Sequence, residues 1–295
     1  MKVRTAAKIN LALDVAEKLS NGYHRIGSVF QTVGLYDIID VELGGEDIQV
    51  SCEQPEEFAK SDPIPCDERN IAYKAARLFL DTAAADTGCR IHIKKGIPSQ
   101  AGMGGGSTDA AAVLYCLNRL TGERFTAAEL AAMGKNIGAD VPFFFTGGTA
   151  FVGGIGEETE ALPDWSGRIL VIAKGSEGIS TGEAYARVDA LKEPVHPDIE
   201  GLVDALRNSP YSAHRFFGNI FEQAAELGEV EAIKSVMREN SALTALMTGS
   251  GSAVFGLFGD RNAAEMCAGR LRAEGYFSHV CTTVSKSFTE IEKDA

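Results

Sequence analysis

Apolar and polar positions along the chain change period several times, and each change marks an element. From Val3 to Val15 they alternate weakly, which predicts a strand. The stretch GSVFQTVGLYDIIDVEL, Gly27 to Leu43, carries two β-rich runs separated around Gly34 to Asp37, so the chain should open with antiparallel β structure. Prolines and charges make Ser61 to Asn70 a loop. NIAYKAARLFLDTAA then sets Ile71, Ala75, Leu78 and Phe79 on one helical face, and CRIHIKK alternates Ile91 and Ile93 as a short strand. Past a cluster of glycines, Val113, Leu114, Leu117 and Leu120 recur at helical spacing, which predicts strand, glycine loop, helix.

TAAELAAMGKNIG reads as a second helix, with Thr126 as N-cap, Glu129 completing a capping box, and an end at Gly134 or Gly138. ADVPFFFTGGTAFVGGIGEETEAL is a loop followed by β structure with glycines at the turns. A boundary is expected between Gly154 and Asp164, dividing the chain into 1–158 and 159–295. In the second part RILVIAK is a strand, IEGLVDALRNS and FFGNIFEQAAEL are helices, and SALTALMTGSGSAVFGLFG, Ser241 to Gly259, reads as helix, glycine turn and strand. There is no internal repeat. The class is α+β, without regular β-α-β alternation.

Composition narrows the function classes. With 28 Lys and Arg against 41 Asp and Glu, the formal net charge is −13, so the overall field repels nucleic acid and anionic membranes. A polyanionic ligand must be held by local geometry. The six cysteines show no C-x-x-C spacing and the five histidines no H-E-x-x-H pattern, which points to reduced, structural thiols and a cytoplasmic protein. Lys8, Asn10 and Asp14 interrupt the apolar run that an export signal would need, and the glycines and hydroxyls of Ser241 to Gly259 make it a poor membrane span.

The candidate chemistry lies in PSQAGMGGGSTDAAAVLYCL, Pro98 to Leu117. Unpaired backbone N–H groups at a helix N-terminus, aligned with the positive end of the helix dipole, form an anion site. Gly104, Gly105 and Gly106 would let the backbone wrap phosphate oxygens, with Ser107 and Thr108 adding hydroxyls. The G-x-x-x-x-G-K-[ST] pattern fails for want of a lysine, and G-x-G-x-x-G fails because the last position, counted from Gly102, is Ser107. On spacing alone, a tight turn before a buried helix remains open.

PSQAGMGGGSTDAAA resembles the P-x-x-x-G-x-G-S-S/T-x-A phosphate loop of the galactokinase, homoserine kinase, mevalonate kinase and phosphomevalonate kinase (GHMP) superfamily. KINLALDV, Lys8 to Val15, resembles its first motif, and TGSGSAVFGLF, Thr248 to Phe258, its third, a glycine-rich turn closing over the active site. Within the superfamily, AKINLALDV, NGYH, IPSQAGMGGGSTDAA and GADVPFFFTGGTAFVGGIGE resemble the 4-diphosphocytidyl-2-C-methyl-D-erythritol kinases, over Ala7 to Phe258.

The resemblance implies a nucleotide-binding N-terminal domain like ribosomal protein S5, a C-terminal α/β sandwich domain, and ATP with Mg²⁺. It places ATP on Pro98, Ser99, Gln100, Ala101, Gly102, Met103, Gly104, Gly105, Gly106, Ser107 and Thr108. It makes Asp140 the base for the acceptor hydroxyl and Lys8 the cation that pairs with it and stabilises developing charge; a carboxylate beside a lysine should be ionised at neutral pH. The implied partner is a small molecule, a cytidine diphosphate-linked methylerythritol. Its cytosine would stack on Tyr23 and hydrogen-bond His24, with Asn10 touching substrate and Tyr185 facing Tyr23, though Tyr185 could equally be a core aromatic. Met103 and Thr108 replace the commoner Leu and Ser, and GSGSA replaces Gly-Ser-Gly-Pro-Thr, a change that bears on the stiffness of the turn at Ser252.

Overall fold

The computed structural model describes residues 1–20, 22–55 and 64–292, so Ser61 to Pro63 of the expected loop lie outside the described residues. Two long strands, β1 (Lys2–Lys18) and β2 (His24–Leu43), form an antiparallel ribbon. They are joined by β3 (Ile48–Glu53), β4 (Cys89–Lys94), β5 (Thr149–Gly153) and β6 (Glu158–Ala161). The backbone of this first sheet runs β12 (Phe288–Ile291), β1, β2, β4, β3, with β5 on β2 and β6 on β5. A second sheet, β11-β7-β10-β9, consists of β7 (Ile169–Lys174), β9 (Thr244–Met247), β10 (Val254–Phe258) and β11 (Phe277–Thr282). Late segments return to the first sheet: β8 (Gly218–Asn219) pairs parallel with β1, and β12 (Phe288–Ile291) antiparallel with it.

The weak alternation in β1 has a packing cause. One face of the β1–β2 ribbon, including Val3, Leu13 and Phe30, lies in the core shared with α1 (Ile71–Thr82) and α2 (Gly105–Leu120). The other face, including Ala7, Ile9, Leu11 and Val33, lies in a second core with Trp165, Ile172 and Leu202. A ribbon covered on both faces has no polar side to reveal.

Three expectations are corrected. The two runs in Gly27 to Leu43 form one strand: Ala6 pairs with Tyr36 but Ala7 with Val33, so Gly34 and Leu35 bulge without breaking the ladder. Gly34 fits there because a Cβ would stand 3.2 Å from the Thr282 carbonyl. The expected helix before the glycine turn is β9, whose short apolar run ALM forms a hairpin with β10, Thr244 opposite Leu257 and Met247 opposite Val254. Such a run cannot be assigned from its period alone. FFGNIFEQAAEL is likewise not one helix: Gly218 and Asn219 pair with β1 and a 3₁₀ turn follows over Ile220–Gln223. Asn219 decides this, its amide donating to the Met247 and Gly249 carbonyls, both at 2.8 Å, and its Oδ1 accepting from Phe221 N–H at 3.0 Å.

Local chemistry succeeded elsewhere. α3 (Ala127–Lys135) begins with the full Thr126–Glu129 capping box. α4 (Thr181–Asp189) and α5 (Ile199–Asn208) begin with Ser180 and Asp198 accepting from backbone N–H groups. VPFFFT, expected as loop, contains a helical turn at Phe143–Thr146 that buries Phe143 and Phe144.

Candidate active site

The glycine stretch forms one wall of a cleft of about 400 Å³ lined by residues 98–107, Asn70 and Ile71 at the start of α1, and Lys95. α2 begins inside the cluster, at Gly105, with Gly104 as N-cap at φ 69° and no side chain capping it. The N–H groups of its first turn are therefore left to backbone geometry and whatever enters the cleft. Thr108 departs from expectation. Its hydroxyl is buried against β1, donating to the Ala6 carbonyl at 2.9 Å and lying 2.5 Å from Thr5 Oγ1. Ser107, one residue earlier on the helix, lines the cleft instead.

β1 runs beside this cradle. The Lys8 N–H donates to the Met103 carbonyl at 3.0 Å, and a Cβ on Gly104 would stand 3.1 Å from Lys8 Cγ. Lys8 is 3% exposed; its ammonium donates to Asn10 Oδ1 at 2.7 Å, lies 3.6 Å from Asp140 Oδ2 and sits 4.4 Å from the Phe30 ring centre. Burial lowers its pKa from the ordinary lysine value, against the pull of the Asp140 carboxylate. Asp140 lies between α3 and the Phe143–Thr146 turn, with its side chain 29% exposed. So the lysine is buried while its carboxylate partner keeps access to a ligand.

Asn10 is a bracket within the fold. Its Oδ1 also accepts from Gly249 N–H at 2.9 Å and Thr248 Oγ1 at 3.1 Å, its Nδ2 donates to Ser28 Oγ at 3.0 Å, and its backbone N–H donates to Thr248 Oγ1 at 2.9 Å. The third motif thereby reaches the glycine loop. A Cβ on Gly102 would stand 2.2 Å from the Thr248 carbonyl oxygen, and one on Gly249 2.7 Å from Gly102 Cα. Only two glycine backbones pack this closely, which is a physical reason for glycine at both places.

Next to Asp140 stands an aromatic corner. Tyr185, on α4, has its phenol pushed up to about 12, by burial first and then by the Asp140 charge. Its ring stacks on the His24 imidazole, centroids 4.9 Å apart at 22°, and meets Phe221 edge-on at 5.0 Å. That separation leaves no room for a base between His24 and Tyr185. His24 Nε2 lies 2.7 Å from Asp189 Oδ1, and Tyr23 is 59% exposed beside it in sequence. Lys8, Asp140, His24 and Tyr185 are thus brought into one neighbourhood from β1, the Gly138–Val141 segment, β2 and α4.

Several residues of the site carried no sequence signal. Lys95, Asp37 and Asp109 form a buried charge cluster under the cradle, and Asp189 orients His24. Lys95 follows an ordinary strand and Asp37 lies where a break was expected. Their partners are 58 and 14 residues away, beyond any local period.

Residues 70–148 match the model of the GHMP kinases N terminal domain, and 188–276 that of the GHMP kinases C terminal. A 4-diphosphocytidyl-2-C-methyl-D-erythritol kinase of Clostridium perfringens is 40% identical over 287 residues, 96% of this chain and 97% of that protein. The crystal structure of a 4-(cytidine 5'-diphospho)-2C-methyl-D-erythritol kinase superposes with a TM-score of 0.79 at 31% identity, covering 96% of this chain and 99% of that one. A homoserine kinase of Cytophaga hutchinsonii, 18% identical with a TM-score of 0.77 over 98% of this chain and 96% of its own, shares the fold. The chain belongs to the GHMP kinases, and within them to the 4-diphosphocytidyl-2-C-methyl-D-erythritol kinase family.

Proposed function

We propose that this kinase transfers the γ-phosphoryl group of ATP to the 2-hydroxyl of 4-diphosphocytidyl-2-C-methyl-D-erythritol, a step of the non-mevalonate route to isoprenoids. The observation that carries the reading is the Lys8–Asp140 pair, 3.6 Å apart at the edge of the glycine cradle. Phosphoryl transfer needs an acceptor hydroxyl held in line and charge neutralised on the phosphoryl oxygens, with little covalent work for the protein. Asp140 accepts the hydroxyl proton. Lys8, fixed by Asn10, faces the charge that builds on the transferring group. Residues 98–107 hold the phosphates; Ser107, a hard oxygen lining the cleft, would help hold Mg²⁺, which would supply further charge neutralisation. We assign ATP binding to residues 1–158 and closure over substrate to 159–295, with β8 and β12 returning to the first sheet.

The deciding experiment measures ATP consumption side by side with the cytidine-linked alcohol, mevalonate and homoserine. Turnover confined to the cytidine compound supports the assignment, whereas preference for either small acid rejects it.

Two further outcomes are expected. Lys8 must be protonated to act, and its burial lowers its pKa, so kcat should fall on the alkaline side at a pH below the ordinary lysine range. A flat profile through that range would remove the charged role. Tyr23→Ala should cost roughly 1–3 kcal/mol in binding the cytidine substrate, the worth of one base–aromatic stack, and leave ATP affinity nearly alone. Equal losses for both ligands would reject the cytosine contact.

A further inference from the structure

Beneath the cradle lies buried charge that the transfer step leaves unused. Lys95, one residue past β4, is 6% exposed; its ammonium donates to Asp37 Oδ2 on β2 and, at 2.8 Å, to Asp109 Oδ2 on α2. Asp37 is fully buried, and its Oδ1 accepts from the N–H groups of Gly96 at 2.7 Å and Ile97 at 2.9 Å, where the chain turns toward the glycines. Asp109 is 4% exposed, and its Oδ1 is buried with no hydrogen-bond partner. Lys95 and Asp109 both line the cleft, and a Cβ on Gly105 would stand 3.4 Å from Lys95 Nζ. The cluster thus ties β2, the loop and the first turns of α2 together.

Two carboxylates on one ammonium, away from water, would leave a net negative charge, with no second cation paired to either among the described residues. That charge would also oppose the positive end of α2, on which phosphates must rest. One proton removes both problems, and the unpaired oxygen of Asp109 is far less costly on a neutral acid than on a carboxylate. We propose that Asp37, Lys95 and Asp109 form a neutral brace, with Asp109 as the protonated acid, that positions the N-terminus of α2 for ATP. This rests on reading the cleft as the ATP site.

The surroundings are consistent with it. Burial raises the Asp109 carboxyl well above the usual range, with Lys95 opposing and the Asp37 charge adding to the rise. The Lys95 ammonium, which burial alone would lower, is held above its ordinary value by Asp109 and Asp37. Titratable groups near the cluster include Cys52 on β3, whose thiol burial pushes to about 11, and Arg69 on the cleft wall, paired with Asp67 at 2.6 Å. Cys52 stays neutral. A group whose folded pKa is raised gives stability that is present below its unfolded value and lost as pH rises through the folded one.

The test compares wild type, Asp109→Asn and Asp109→Ala. Wild-type melting temperature should decline, relative to Asp109→Asn, as pH rises from the carboxyl range through neutrality, because the amide supplies the same donor without titrating. In Asp109→Ala, KM for ATP should rise about tenfold or more with a smaller fall in kcat, as expected for a displaced loop. Asp109→Asn should bring KM back toward the wild-type value. Parallel melting curves for wild type and Asp109→Asn would overturn the neutral Asp109, even if Asp109→Ala fails to fold. An Asp109→Asn enzyme with the KM of Asp109→Ala would overturn it from the other side. If the expected melting difference appears but wild type fails to bind ATP, the reading of the cleft falls, and the positioning role with it.

Discussion

Asp140→Asn should lower kcat by about 10²–10⁴-fold, the usual worth of a positioned general base, while ATP still binds. The geometry separates the two effects. Asp140 is 29% exposed and lies 3.6 Å from the Lys8 ammonium, whereas the proposed phosphate grip is the backbone of residues 98–107. Asparagine fills the same volume and cannot take a proton. The substitution also removes the charge that partly offsets the burial of Lys8, so the alkaline fall in residual activity should move to lower pH. Steady-state kinetics and equilibrium ATP titration of the same preparation check both parts. Near-normal turnover would remove Asp140 from the mechanism.

Gly102→Ala should raise KM for ATP by about tenfold or more and lower kcat as well. Gly102 sits at φ 70°, where an L-residue pays roughly 1–2 kcal/mol. Its new Cβ would also meet the Thr248 carbonyl at 2.2 Å, a distance that forces one backbone to move. Displacing the loop widens the cradle, and displacing Thr248 disturbs Asn10 and through it the Lys8 ammonium. Gly105→Ala is the control. That Cβ meets Ile97 Cγ2 at 3.3 Å and Lys95 Nζ at 3.4 Å, so a small shift accommodates it and its effect should be clearly milder. Equal effects from the two substitutions would show that contact between the loop and the third-motif turn is unimportant.

Local signals in the sequence translated well into structure. Thr126 and Glu129 announced α3 by reciprocal capping, and the glycines from Gly102 to Gly106 announced a backbone that something must approach. Failures came where a distant partner outweighed the local pattern. Gly34 to Asp37 looked like a break, but β1 pairs on both sides of the bulge and Asp37 is held by Lys95. The helix expected across Asn219 gave way because that side chain binds two carbonyls of the Met247–Gly249 segment. Thr108 looked like a phosphate ligand, yet the turn of α2 directs its hydroxyl to β1.

By itself the sequence determined the α+β class, the glycine cradle and, through four motifs in order, the kinase family. These are properties of short contiguous stretches, in which backbone freedom, capping and periodicity act between near neighbours. The family resemblance already implied that Lys8 pairs with Asp140, but tertiary structure alone decided that Asn10 holds the Lys8 ammonium, that Gly102 touches Thr248, and that Lys95 lies between two carboxyls. Those contacts join residues as far apart as Gly102 and Thr248, and their energies depend on burial away from water, which exists only once β1, α2 and the third-motif turn have packed together.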